Sequence, residues 1–301
     1  MAQAQARDLI CRATASLRSD ALLVISILSS LSFRPKGGIC ISVDIHRLII
    51  KVERAEDMST DRVFLKAEWR NLAMLNYEVD PGVLSEFIPA GTELDRWNGK
   101  LFVSLVGFQF LKTRVLGFSI PFHRNFDEVN LRFYVRRSEG GEDRRGVVFI
   151  KEIVPRWAIA FIARNVYNER YVALPMRHRI ESTALNQEVE YGWRCGGKWN
   201  AIKLRTEGIP ALPQENSEEQ FITEHYWGYA QQHDGNSMEY RVAHPPWRVW
   251  RGCDAKFEGD MTELYGPVLA AVVRGKPSSA FLAEGSEVTV FLGRKIQGDA
   301  R

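Results

Sequence analysis

The dipeptide Asn98-Gly99, set between Thr92–Trp97 and Lys100–Val106, constrains this chain more than any other feature. Asn-Gly takes positive φ at both central positions of a type I′ turn, whose twist matches that of paired antiparallel strands. The device recurs along the chain. Val189–Cys195 and Lys198–Leu204 flank Gly196-Gly197, and Tyr226–Gln231 and Met238–Val242 flank His233–Asn236. Ala280–Ala283 and Val288–Leu292 surround Gly285-Ser286, which reads as a further hairpin. Val129–Val135 and Val147–Ile153 are joined by the turn-rich run Ser138–Asp143. Short strands in hairpin succession with few helices predict a mainly β fold, α+β in class, built as an antiparallel barrel or sandwich.

Three peripheral helices are expected. Asp80 can cap the first, with Pro81 at its opening position and Pro89 as its stop. Pro155 starts a second over Arg156–Asn168, whose apolar run Trp157–Ala163 implies burial on nearly all sides. Ser217 and Gln220 fit a capping box at the start of the third. No repeat and no long Gly/Ser or Pro-rich linker divides residues 62–293, so residues 58–301 read as a single domain.

Residues 1–57 read as a poorly packed extension outside that domain. Their apolar stretch Ala21–Phe33 is too short for a membrane helix, which needs about 20 residues. A secretory signal is the competing reading, but Asp8 and Asp20 dilute its basic flank and no small-residue cleavage site follows. The expectation is a cytoplasmic protein with no membrane partner.

Composition excludes several functions. With 40 basic and 37 acidic residues in 301, the net charge is +3, too little for a polyanion binder. Four cysteines with no CxxC exclude a disulfide framework or a zinc finger. No phosphate-cradling GxxxxGK[ST] and no GxGxxG is present, and the six histidines never form HExxH. Neither a metal nor a cofactor is therefore expected.

What stands out is polar residues on strands that otherwise look buried. Alternation in Glu128–Arg136 puts Glu128, Asn130, Arg132 and Tyr134 on one face, and Val129, Leu131, Phe133 and Val135 on the other. The polar face is either a solvated exterior or the lining of a wet interior, where an arginine binds carboxylates bidentately. Lys151 and Glu152 interrupt an apolar run, and only one of the two can look inward. Arg177-His178-Arg179 is either an anion site or a surface basic cluster. Glu224–Trp227 and His244–Trp247 join aromatic bodies to polar tips, as pockets and cores both do.

Several segments together resemble the YqjF-like DUF2071 proteins of the acetoacetate decarboxylase-like superfamily. They are Trp69–Pro81, Phe87–Asp95, Phe102–Phe108, Asn130–Val135, Tyr171–Met176 and His244–Trp247, and the likeness spans roughly residues 62–293. The resemblance implies an acetoacetate decarboxylase-like β-barrel with peripheral helices and a ligand-sized interior. The decarboxylase uses a lysine acidified by an adjacent cationic group. This chain has no Lys-Lys pair, and Asn168–Pro175, the segment aligned with that reactive region, has no lysine. Schiff-base decarboxylation is disfavoured.

The resulting expectation is a small, partly apolar organic molecule, carboxylated in the favoured form, held inside a β-barrel. Arg132 pairs the anion, Asn130 and Tyr134 orient it, and Arg177 and Tyr226 complete the polar site. His178 is the candidate proton shuttle, because histidine changes charge near neutrality. Related lyase chemistry and simple binding both remain open, as does homo-oligomerisation. The competing class is a structural or partner-binding protein whose barrel interior is packed solid. An empty, polar-lined interior separates the two.

Overall fold

The computed structural model describes residues 62–119, 123–155, 170–183 and 186–297. The extension at 1–57 and the helix expected over 156–168 lie outside the described residues.

From Val63 onward the elements run β1 (Val63–Glu78), α1 (Pro81–Leu84) with a 3₁₀ turn (Ser85–Phe87), β2 (Glu93–Leu94), β3 (Phe102–Val115), β4 (Phe126–Glu139) and β5 (Glu142–Val154). They continue with β6 (Tyr171–Ala173), β7 (Met176–Ser182), β8 (Gln187–Cys195), β9 (Lys198–Ala211), α2 (Glu218–Thr223), β10 (Trp227–Gln231) and β11 (Ser237–Ala243). The last are β12 (Val249–Glu258), α3 (Thr262–Arg274), β13 (Ser279–Phe291) and β14 (Arg294–Ile296). Among the described residues, no helix is long and apolar enough to cross a membrane.

The strands share one sheet in the order β14-β11-β10-β5-β4-β3-β1-β13-β12-β9-β8-β7. β11 also pairs β13, matching Val242 to Val290 and Ala243 to Thr289, so β11-β10-β5-β4-β3-β1-β13 returns on itself as a circuit. The sheet is mixed, which corrects the expectation of a purely antiparallel one. β5 pairs in parallel with both β10 and β6. Both partners reach β5 through long connections instead of tight turns, and a crossover is what parallel pairing requires.

The turn chemistry places most of the hairpins. Asn98 and Gly99 have φ of 48° and 80°, and a Trp97–Lys100 bridge closes their turn. The β2 segment ahead of that turn pairs β4 instead of β3. Gly196-Gly197 joins β8 to β9 with Cys195 opposite Lys198. Gly285-Ser286 makes no hairpin: β13 runs through it unbroken, paired with β1 from end to end. Gly285 has φ 79°, and a Cβ there would fall 2.0 Å from the Trp69 carbonyl oxygen, so only glycine fits this irregularity. Ser217 caps α2 by accepting from the Gln220 amide. The Gln220 side chain answers one residue early, accepting from the Asn216 amide.

β4 is buried on both faces. Val129, Leu131, Phe133 and Val135 join a core with Tyr191 and Trp193 of β8, Ile202 of β9 and Leu264, Leu269 and Val273 of α3. Burying one such side chain contributes roughly 1.5–3 kcal/mol. The other face belongs to the inside of the circuit, with Met74 of β1 and Phe102, Val106, Phe108 and Phe110 of β3. The polar residues of β4 thus face neither solvent nor the main core.

Candidate functional site

A cavity of about 150 Å³ lies within the circuit, and every strand of that circuit contributes to its lining. Examples are Trp69 (β1), Phe108 (β3), Arg132 (β4), Glu152 (β5), Trp227 (β10), Tyr240 (β11) and Val290 (β13). Ile222 and Thr223 of α2, with His225, His244 and Trp247 from the adjoining loops, add to it.

Aromatic packing shapes the apolar wall. The Trp69 ring stands edge-on to Phe108 at 5.5 Å and to Trp247 at 6.2 Å, while Phe110 and Phe126 stack at 4.7 Å. Such pairs hold a wall rigid because each ring fixes its neighbour's orientation.

The opposite wall is polar, and strand alternation builds it. Glu128, Asn130 and Arg132 leave β4 on one face, and the register sets Glu152 of β5 directly across from Asn130. Glu128 accepts from Asn130 Nδ2 at 3.0 Å and from the Tyr171 hydroxyl at 3.3 Å. Burial nonetheless pushes its carboxyl up to about 7, against the opposing pull of those bonds and of Arg132.

Arg132 is only 7% exposed. Its Nη2 lies 3.5 Å from the Ile222 carbonyl oxygen and 3.9 Å from Met74 Sδ, and among the described residues its Nε has no partner. Among the described residues it forms no ion pair within 4 Å. Trp69 Nε1, Thr113 Oγ1 and Asn130 Oδ1, from the same lining, are also buried without partners among the described residues. A buried polar atom without a partner is costly and rare in native structures, and four of them gather around this one cavity.

His225 is a further polar element of the lining. It is 6% exposed, and its Nε2 lies 3.4 Å from Oδ2 of Asp95, which also accepts from Arg145 Nε at 2.7 Å. Its ring lies 4.6 Å from Tyr134 and edge-on to Phe221 at 5.2 Å. Burial holds the imidazole down at about 4, so it is neutral at ordinary pH. Burial also pulls the His244 imidazole below its ordinary range, and the ring stacks on Trp247 at 4.1 Å with Nδ1 donating to the Pro245 carbonyl.

Asn130 and Arg132 are brought together on the cavity wall. Tyr134 shares their face of β4 but sits behind the lining, its hydroxyl 2.6 Å from Ser104 Oγ and its ring 5.8 Å from the Arg132 guanidinium. Tyr226 packs against His244 at 4.9 Å, outside the lining. Arg177 and His178 lie on edge strand β7, away from the cavity. Arg177 stacks over Trp199 at 4.3 Å. The His178 side chain is 42% exposed, with Nδ1 2.8 Å from Asp127 Oδ2. Lys151 donates to the Leu264 carbonyl, and among the described residues no lysine lines the cavity. Among them, too, no cluster of three His, Cys, Asp or Glu could hold a metal ion.

Sequence reasoning missed Trp69 and the Asp95–His225 pair. No local signal links a residue at 95 to one at 225. Glu152 was detectable as a charge inside an apolar run, but its inward direction was not.

Comparison with known proteins identifies the family and the fold. The sequence profile of DUF2071, a family of uncharacterized conserved proteins, matches residues 66–287, and the chain belongs to that family. The uncharacterized protein YqjF of Bacillus subtilis (strain 168) is 25% identical over 188 residues, covering 61% of this chain and 74% of YqjF. Among solved structures, acetoacetate decarboxylase from Legionella pneumophila superposes with a TM-score of 0.54 at 13% identity, covering 79% of this chain and 90% of the enzyme. The enduracididine biosynthesis enzyme MppR complexed with pyruvate gives 0.54 at 12% identity, covering 80% and 93%. An acetoacetate decarboxylase-like enzyme from Sphingomonas wittichii RW1 gives 0.52 at 11%, covering 80% and 96%. At such identities the likeness shows a shared fold and nothing about activity.

Proposed function

We propose that the seven-strand circuit acts as a β-barrel that holds a small, largely apolar organic acid, its carboxylate paired with Arg132. The observation that carries this reading is Arg132, a residue 7% exposed whose guanidinium has no ion-pair partner within 4 Å among the described residues. Burying a cation is expensive unless an anion joins it, and a carboxylate matches the planar fork of arginine. The aromatic wall around Trp69 and Phe108 suits an apolar body, and Asn130 Oδ1 and Trp69 Nε1 are free to orient it. The MppR complex lends support, since a protein of this fold takes up pyruvate, a small carboxylic acid. The competing structural reading needs a packed interior, whereas a cavity of about 150 Å³ is present.

The reading contains no imine step, because no lysine is within reach of the bound molecule among the described residues. A thermal-shift screen of small organic acids tests it. Acids with an apolar body should raise the melting temperature, since a ligand preferring the native state stabilises it. A screen in which neutral analogues stabilise equally and acids hold no advantage would contradict it.

A further inference from the structure

The polar lining contains a histidine that the carboxylate reading does not use. Resting on that reading, we infer that the ligand is a hydroxy acid, its hydroxyl donating a hydrogen bond to His225 Nδ1.

Burial works against the charge on Asp95, but hydrogen bonding from His225 and Arg145 outweighs it and holds the carboxyl below its ordinary range. Asp95 is therefore an ionised acceptor, anchored by Arg145 Nε at 2.7 Å. Its Oδ2 lies 3.4 Å from His225 Nε2, where a ring lone pair would be repelled and an N–H attracted. A neutral imidazole carries one proton, so a proton on Nε2 leaves Nδ1 as an acceptor. Among the described residues neither ring nitrogen makes a full hydrogen bond, but Nε2 faces the Asp95 carboxylate whereas buried Nδ1 faces no partner, and the side chain lines the cavity.

An acceptor facing a ligand selects what it meets. A carbonyl oxygen opposite Nδ1 sets two lone pairs against each other, so an oxo acid is disfavoured there. An ammonium could donate, but Arg145 and Arg132 already bear on this ring with positive charge. A third cation beside them is unfavourable. A hydroxyl donates without adding charge. Arg132 takes the acid, and His225 reads the neighbouring group.

The test compares 3-phenylpropionate, its 2-hydroxy and 3-hydroxy derivatives, phenylpyruvate and the methyl esters of all four, by calorimetry on the full chain. One hydroxy acid should bind about tenfold tighter than both the deoxy and the oxo acid, the worth of one buried hydrogen bond. In His225→Phe the ratio of hydroxy-acid to deoxy-acid affinity should fall to about one, whatever the variant's absolute affinity. Equal binding of hydroxy, oxo and deoxy acids would overturn the inference and leave the carboxylate reading standing, as would a hydroxyl preference that survives in His225→Phe. The wild-type comparison decides by itself if the variant does not fold. Esters binding as well as acids, or no acid binding, would defeat the carboxylate reading and this inference together.

Discussion

Lys151 and Glu152 are neighbours in sequence and leave β5 on opposite faces: Glu152 lines the cavity, whereas Lys151 donates to the Leu264 carbonyl of α3. The register agrees, with Glu152 opposite Asn130 of the lining and Lys151 opposite Leu131 of the outer core. A strand reverses side-chain direction at every residue, so no small adjustment brings this ammonium inside. Treatment with a small oxo acid and borohydride should leave the protein mass unchanged. A reduced adduct on Lys151 would show that the strand inverts.

Arg132 lowers stability in the unliganded protein, because its desolvation is not offset by an ion pair. Arg132→Met keeps the volume and removes the charge. The ligand-free variant should gain about 1–2 kcal/mol, or roughly 2–8 °C in melting temperature for a domain this size. Differential scanning calorimetry checks it, and a lower melting temperature would mean that Arg132 has a structural partner.

Glu128 and His225 predict opposite dependences on pH. The folded Glu128 carboxyl sits at about 7 because of burial, above its ordinary 4.5, so the folded state holds the proton longer. Its contribution is full below about 4.5 and is lost as pH rises to about 7. His225 sits at about 4 because of burial, below its ordinary 6.5, so the unfolded chain takes up the proton first. Its contribution is full above about 6.5 and is lost as pH falls toward 4. In the wild type the two slopes largely cancel between pH 4.5 and 6.5. Urea titrations across that window should show stability rising with pH in Glu128→Gln and falling with pH in His225→Phe. Parallel curves for both variants and wild type would show that neither burial shift is present.

Glu239 ties down one side of the circuit. Its fully buried carboxylate meets Arg144 of β5 at 3.0 Å, Arg137 of β4 at 3.3 Å and Arg294 of β14 at 2.7 Å. It also accepts from the Tyr229 hydroxyl of β10 at 3.1 Å. Glu139 also pairs with all three guanidinium groups, but it is partly exposed, so removing the buried anion leaves their charge poorly compensated. Glu239→Gln should cost about 3 kcal/mol and lower the melting temperature by roughly 6–12 °C. A loss under about 0.5 kcal/mol, the range of exposed pairs, would contradict this picture.

Much of the fold was legible because its turns are written in local chemistry. Asn98-Gly99 and Gly196-Gly197 need positive φ, and both form the tight turns their residues announce. The same logic misled at Gly285, whose positive φ serves an irregularity inside one long strand. α3 was not expected, and it carries Gly266-Pro267, a pair that ordinarily interrupts a helix. The helix resumes beyond it, with Gly266 at φ 76° absorbing the kink. The polar stripe Glu128–Asn130–Arg132 was visible by alternation, but its direction was not, because β4 is buried on both faces. The Asp95–His225 pair depends on the path of the chain between them, and nothing local encodes that.

The central claim is that Arg132 holds a carboxylate inside the circuit. Isothermal titration of one apolar carboxylic acid and its methyl ester, against wild type and Arg132→Met, tests it most directly. The account predicts that wild type prefers the acid by at least about tenfold, as charge-assisted bidentate pairing implies, and that the variant has no preference. Equal affinity of acid and ester for wild type, or a preference for the acid that persists in Arg132→Met, would contradict it.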